Sequence, residues 1–182
     1  MKIHTMDLHV LDFLLQDRER QLKQLIGNLT INEVKDDKNF EGTVRRIKSQ
    51  IALTQATIGE PKITGNREVP KPLMFGRMGT TNAVTVSFPI TGSKELFEYR
   101  ANGGSFTLTS LYTPDYNGIT IEVEADTLDK GQVLAAAEKE IAATRTLIAQ
   151  NNPQVEAWTA RISAQVDSMA AQKRTELTAF YS

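Results

Sequence analysis

The 182-residue chain contains no cysteine and only two histidines, His4 and His9. The absence of thiols excludes disulfides, thiolate metal sites and cysteine nucleophiles. Two imidazoles leave little material for histidine-based catalysis, and no Gly-x-Ser-x-Gly elbow precedes a predicted helix. Covalent hydrolase chemistry is therefore not expected.

An excess of charge of either sign is also missing. The chain has 21 basic and 22 acidic side chains, a formal net charge of −1, so it lacks the electrostatic footprint of a dedicated nucleic-acid binder. It has neither the apolar stretch of a secretory signal nor the roughly twenty apolar residues of a membrane span. We therefore expect a cytoplasmic protein with no membrane partner, and nucleic acid is not the partner we predict.

Apolar residues recur with helical spacing in the first third of the chain. One such face runs from Val10 to Ile26 and meets Gly27-Asn28, residue types that end helices. A narrower seam runs from Phe40 through Ile47 to Ile58. These patterns predict an N-terminal helical pair over residues 1–58.

The pattern changes in the middle of the chain. Prolines and glycines between positions 59 and 72 predict a connector. Apolar and polar residues then alternate over 73–125, most clearly at Val84–Phe88 and Ile119–Val123, and less clearly at Phe106–Ser110 and Leu96–Arg100. Short strands joined by short turns predict an antiparallel sheet of about four strands.

Helical spacing returns over residues 126–182. Asp126 or Thr127 is suited to cap the first helix, and Asn151-Asn152-Pro153 is typical of a break followed at once by a second helix. This predicts a C-terminal helical hairpin. The whole chain, residues 1–182, is thus predicted as a single α+β domain in which helical hairpins flank the sheet.

A group near the start of the chain has metal-ligand chemistry, since imidazole and carboxylate suit zinc and similar ions. Its members are His4, Asp7, His9 and Asp12. Solvated polar residues opposite a leucine face explain the same pattern, and a working site also needs supporting contacts. We predict no metal or other cofactor.

Four carboxylates around the last strand give the main alternative, a metal-dependent hydrolase; they are Glu122, Glu124, Asp126 and Asp129. Paired carboxylates do acid–base work or hold magnesium. The two glutamates, however, alternate with isoleucine and valine as on the solvated face of a strand, and the two aspartates suit a helix start. No catalytic residue is predicted.

A second alternative is a nucleic-acid accessory protein using Arg45, Arg46 and Arg77. Acidic residues near the first two oppose a continuous basic patch. The segment around Arg77, Gly76 to Asn82, resembles neither a Walker loop nor a clamp between helices, and we interpret it as a flexible entry to the sheet.

The apolar seams and the aromatic residues of the last helix favour a different function. Aromatic side chains anchor many protein interfaces, and long amphipathic helices offer more apolar seam than a small sheet covers. We predict a non-catalytic interaction or assembly subunit, in a homo-oligomer or a multi-protein complex, of a kind typical of bacterial or phage accessory proteins. The candidate interface residues are Ile47, Ile51, Trp158, Ile162, Phe180 and Tyr181.

Overall fold

The computed structural model describes residues 1–4, 7–72, 74–103 and 110–182, and within these ranges the protein is mixed α+β. Its helices are α1 (Leu11–Gly27), α2 (Ile31–Val34), α3 (Asp37–Ile51) and α4 (Lys130–Tyr181). Its strands are β1 (Lys2–His4), β2 (His9–Val10), β3 (Thr57–Ile58), β4 (Lys62–Pro72), β5 (Met78–Phe88), β6 (Ile90–Thr91), β7 (Tyr99–Arg100), β8 (Ser110–Tyr112) and β9 (Ile119–Ala125).

α1 forms where the leucine spacing predicts it and ends at Gly27. The backbone N–H of Asn28 donates to the carbonyl of Gln24 at 3.0 Å and closes the last turn. The buried face of the helix comprises Leu11, Leu14, Leu15, Leu22 and Ile26. The period near 3.6 therefore identified the core side of this helix correctly.

Two further helices follow α1, where the sequence predicts one. At the start of the short α2, Thr30 N–H donates to Glu33 Oε2 at 3.0 Å, one half of a capping box. At the start of α3, Asn39 N–H donates to Asp36 Oδ1 at 2.8 Å. Both caps satisfy backbone donors that a helix start leaves free.

The seam predicted from Phe40 to Ile58 is interrupted, because α3 ends at Ile51. The backbone becomes extended at Ala52 (ψ 132°), and Thr54 N–H then donates to Ser93 Oγ at 2.9 Å. Ile58 consequently lies in β3 and not on a helix. A contact with a residue 39 positions away overrides the local spacing here.

The largest sheet is antiparallel and has the strand order β4–β5–β9. One face of it is buried against the helices, and the alternation predicted for β5 and β9 is confirmed. The buried residues of this face are Val84, Val86, Phe88, Ile119, Ile121 and Val123. The remaining pairs, β1–β8, β2–β7 and β3–β6, form separate two-stranded sheets.

The predicted sheet of about four strands is therefore wrong in its membership. The candidate strand Leu96–Arg100 is mainly a 3₁₀ turn over Lys94–Glu98. Leu96 and Phe97 are both fully buried, and successive residues of a strand point to opposite faces, so a half-solvated strand cannot bury both. β8 pairs with β1, outside the main sheet. Phe106 and Leu108 lie outside the described residues.

The segment 59–72, predicted as a connector, contains β4 instead. Its register with β5 runs from Lys62 opposite Ser87 to Pro72 opposite Met78. A proline weakens a strand because it removes a ladder donor, but an edge strand has one side without ladder bonds. β4 is at the edge of its sheet, and this position tolerates Pro70 and Pro72.

The predicted C-terminal helical hairpin over 126–182 is also wrong: α4 runs without a break through Pro153. Proline in a helix interior costs one backbone hydrogen bond, about 3 kcal/mol in all. The two asparagines before it contact other segments and do not end the helix. Asn151 Nδ2 donates to the carbonyls of Leu96 and Tyr99 at 3.0 and 2.9 Å. These long-range bonds favour an uninterrupted helix of about 78 Å.

α4 begins two or three residues later than predicted and packs against both the helices and the sheet. Its cap is Asp129, whose Oδ1 accepts from Gln132 N–H at 2.8 Å, and not Asp126 or Thr127. One apolar cluster joins α4 to α1, α3, β5 and β9. Trp158 lies in this cluster and donates its indole N–H to Glu19 Oε1 at 3.3 Å. The core is therefore closed by the last helix.

Candidate interaction surface

The carboxylates of the hydrolase alternative lie on β9 and between its end and the start of α4, and three of the four have partners. Glu122 forms an ion pair with Arg67 at 3.1 Å, and Asp126 forms one with Lys71 at 2.7 Å. Asp129 caps α4, while Glu124 is exposed on β9. Among the described residues, no three carboxylate, imidazole or thiol groups are close enough to hold a metal ion together. The two ion pairs thus connect β4 with β9 and the residue after it, and the cap stabilises the start of α4.

The group at the start of the chain is divided among separate contacts. His4 lies in β1, and its backbone N–H donates to Asp7 Oδ2 at 3.2 Å. The ring of His9 lies 5.9 Å from that of Tyr99. Asp12 accepts a hydrogen bond from the side chain of Asn102 at 2.8 Å. The imidazoles thus lie on two different strands.

The three arginines of the nucleic-acid alternative occupy two separate elements. Arg45 and Arg46 are exposed on α3, and Arg46 forms an ion pair with Glu33 at 2.6 Å. Arg77 lies in the connection between β4 and β5. The structure does not gather them on one element.

The six predicted interface residues fall into two sets. Ile47, Ile51, Trp158 and Ile162 are buried within the chain itself. Phe180 and Tyr181 are exposed in the last turn of α4, with ring centroids 5.0 Å apart. Only this second set is on the surface of the protein.

A different surface combines exposed apolar side chains with a projecting shape. The last residue pair between β5 and β9 is Asn82 opposite Ala125, whereas β4 and β5 stay paired for four positions more, to Pro72 opposite Met78. We call the part from Val69 to Thr81 the ribbon. At about 3.4 Å per residue, its paired strands extend about 14 Å beyond the third strand.

The end of the ribbon, which we call the tip, presents Met74, Phe75, Arg77 and Met78. The apolar three are 83%, 98% and 65% exposed, respectively. A short turn, Met74–Gly76, connects the strands, and Phe75 adopts a left-handed backbone (φ 60°, ψ 31°). Such a conformation is uncommon for a bulky residue. Leu73 lies outside the described residues.

The comparisons with known proteins add no family or fold to this geometry. No protein-family model matches the chain, and neither a curated protein nor a solved structure is significantly similar to it. Within the described ranges, no helix has both the length and the apolar character needed to cross a membrane. The function is therefore inferred from the surface alone.

The base of the ribbon is tied to the end of β9. Lys71 Nζ and Thr81 Oγ1 both contact Asp126 Oδ1, at 2.7 and 3.1 Å. The hydrogen bond from Lys71, followed by that from Thr81, lowers the pKa of Asp126, and the same contact raises the pKa of Lys71. Nearby, Asn82 Nδ2 donates to the carbonyl of Ala125 at 3.3 Å. One aspartate thus contacts both strands of the ribbon.

An apolar cleft of about 350 Å³ lies beside β4, where the strand faces the start of α4. Its wall includes Ile63 and Leu128, which are 40% and 60% exposed. Lys130 contributes a cation to the same wall. The cleft and the tip therefore lie along one hairpin, about ten residues apart in β4.

The sequence analysis did not predict the tip, although the residue order around it contains a signal. Pro72-Leu73-Met74-Phe75 is an apolar run that fits neither a helical nor an alternating period. It stands between turn-forming residues, where polar side chains are usual. An apolar run beside a predicted connector is therefore a reason to look for a binding surface.

Proposed function

We propose that this protein is a non-catalytic interaction subunit that binds another protein, or a second copy of itself, through the ribbon. The observation that supports this is the tip, where three large apolar side chains project into solvent. Exposed apolar groups that are rimmed by polar residues are typical of interaction sites. A cytoplasmic location belongs to the same proposal and rests on sequence alone.

The geometry favours this function over the hydrolase. Glu122 and Asp126 are occupied by Arg67 and Lys71, and Asp129 is used as a helix cap. A hydrolase site would require carboxylates that converge on open space for a metal ion and a substrate. The arginines on α3 and at the tip give no continuous basic surface that would favour nucleic acid.

The experiment is a comparison of complex formation by the wild-type chain and by a variant with Met74, Phe75 and Met78 all replaced by serine. The full-length protein is purified from its native cells under moderate salt, and its mass is measured by light scattering after size exclusion. We expect the wild type to elute as a stoichiometric complex and the triple variant as a monomer.

The matched control replaces Phe180 and Tyr181 with serine, because these aromatics are exposed at the other candidate surface. This control is expected to keep the complex. A wild-type protein that is monomeric and partnerless at high concentration contradicts the proposed function. A triple variant that keeps its partner shows that the ribbon is not the docking element.

A further inference from the structure

The tip presents one exposed aromatic ring at the end of a paired hairpin. Phe75 is 98% exposed, and its left-handed backbone is held between two strands that pair up to Pro72 and Met78. Ordering a flexible loop costs free energy on binding, and a preformed turn reduces that cost. A single ring at the end of a paired hairpin is suited to a concave pocket of matching shape.

The residues around Phe75 define the chemistry of that pocket. Met74 and Met78 flank the ring with unbranched, polarisable side chains that adapt to irregular apolar walls. Arg77 is exposed, and it forms no ion pair with any residue that the structure describes. The sequence has no acidic residue from position 69 to position 93. A partner surface that complements the tip is therefore apolar in its centre and acidic at its rim.

The size of the tip favours a protein over a lipid surface. A buried aromatic side chain covers about 150–250 Å², while a standard interface needs about 800 Å² from each partner. The tip therefore supplies the apolar centre, and the exposed residues of β4 supply the polar remainder. A lipid surface would contact only the few side chains of the tip, and even a whole myristoyl chain binds membranes marginally.

The charge of the tip favours a different protein over a second copy of this chain. Two concavities of the described residues are large enough to receive the ring of a second copy: the cleft beside β4, and a groove of about 400 Å³ beside Phe40 and Val44. Lys130 is part of the wall of the cleft, so Arg77 of an incoming tip would meet a like charge there. In the groove, Arg45 and Lys48 match Glu41 and Asp167 in number, and Lys48 is paired with Asp167 at 2.7 Å, so its rim is not acidic overall. A pocket with an acidic rim has the opposite, attractive charge.

We infer that Phe75 is the anchor of the ribbon and inserts into an apolar pocket of a different protein, whose acidic rim faces Arg77. This inference rests on the proposed function and names the chemistry of the partner. Arg77 increases the association rate, and Phe75 limits dissociation.

The test places the photo-crosslinking residue benzoylphenylalanine at position 75 of the full-length protein in its native cells. Adducts are identified and the crosslinked peptide is mapped. The partner is then purified, and its affinity is measured for the wild type, Phe75→Ser and Arg77→Glu. Phe180→Ser and Arg45→Glu are the matched controls, because each changes an exposed residue of the same type elsewhere.

We expect adducts in an apolar pocket of another protein with acidic residues at its rim. Phe75→Ser is expected to weaken binding about thirtyfold or more, as for other anchor residues. Arg77→Glu is expected to slow association and to reduce its dependence on salt. The controls are expected to bind like the wild type, and all variants are expected to keep the wild-type melting temperature.

Several results overturn the inference: no adduct, or adducts only with lipid, nucleic acid or a second copy. A crosslinked peptide from a polar or basic surface overturns it as well, as does an unchanged affinity of Phe75→Ser. If the wild type forms a stoichiometric complex that Phe75→Ser retains, the anchor is wrong and the proposed function stands. If the wild type forms no complex, the proposed function fails as well.

Discussion

Replacing Asn151 with alanine tests why α4 is continuous. This side chain is fully buried, and it donates one hydrogen bond each to the carbonyls of Leu96 and Tyr99. In the alanine variant both carbonyls lose this partner. A buried group without a partner costs about 1–3 kcal/mol, and the full cost applies to Leu96 because its bond to Asn151 is completely buried.

Two effects reduce the loss. Asn151 Oδ1 is itself buried without a partner, so its desolvation penalty disappears in the variant. Alanine is also a better helix former than asparagine, by up to about 0.7 kcal/mol. We therefore expect Asn151→Ala to lower the free energy of unfolding by about 2–3 kcal/mol, a large part of the stability of a typical domain.

The assay is urea unfolding followed by far-ultraviolet circular dichroism, with the slope of the transition checked for two-state behaviour. Asn152→Ala is the first control. The wild-type Asn152 side chain bonds the backbone of Ala56 at 3.0 and 2.9 Å but is only half-buried. Water replaces part of the lost bonding, so we expect the free energy of unfolding to fall by about 1 kcal/mol. Gln150→Ala is the second control; Gln150 is exposed, and we expect this variant to lose about 0.5 kcal/mol or less of unfolding free energy. If Asn151→Ala loses no more than Gln150→Ala, this explanation of the continuous helix is refuted.

Four further predictions use the same protein. Pro153→Ala is expected to raise the free energy of unfolding by about 1–2 kcal/mol in urea, because it restores a helix hydrogen bond while relaxing the unfolded chain; a loss of stability would show that the proline is needed where it is. Ile47→Asp places a charge at a fully buried site and is expected to abolish the cooperative thermal transition; a normal transition would contradict the burial of α3. Lys71→Met is expected to raise the pKa of Asp126 towards its ordinary 3.8, measured by carbon NMR. In the wild type, the lowered pKa of Asp126 means that its carboxylate stabilises the fold above pH 3.8, and this contribution is lost as the pH falls through the pKa of the folded state. The prediction is refuted if Asp126 has the same pKa in Lys71→Met as in the wild type. Phe75→Ser is expected to change the free energy of unfolding by about 0.5 kcal/mol or less, and a larger loss would show that the ring packs on the protein.

The elements that the sequence predicts well are those whose apolar residues face one core with a regular period. α1 and β9 each bury an apolar face opposite a largely exposed polar one, and β5 buries Val84, Val86 and Phe88 on its apolar face. A period of 3.6 or 2 then records the direction of the core directly in the residue order. For such elements, the structure predicted from local residue spacing agrees with the structure that tertiary packing favours.

The predictions fail where a distant contact determines the local structure. Asn151 and Asn152 are read as a helix end, but their side chains bond to residues 52 to 96 positions away. β4 is exposed along most of its length, so it has no alternation to reveal it, and its strand character comes from pairing with β5 alone. Neither kind of contact is encoded in the neighbouring residues.

The candidate surface was the hardest part to predict. Trp158 and Phe75 are both large aromatics, yet the first is 3% exposed and the second 98%. The apolar run beside the predicted connector is a local sign for Phe75, but it does not state how exposed the ring is. The difference arises because Trp158 lies on a helix inside the core, whereas Phe75 lies on a hairpin that outreaches its neighbouring strand. Exposure is a property of the assembled fold, and so is the surface built from it.

The position of α4 in the chain has a consequence for synthesis. The apolar faces of α1, α3 and the sheet are made before the helix that covers them. At about 5–20 residues per second, translation leaves these faces uncovered for several seconds before residues 130–170 emerge. The core is therefore complete only after residues 130–170 have been made, and a chain stopped before Trp158 exposes apolar surface that favours aggregation and binding by chaperones.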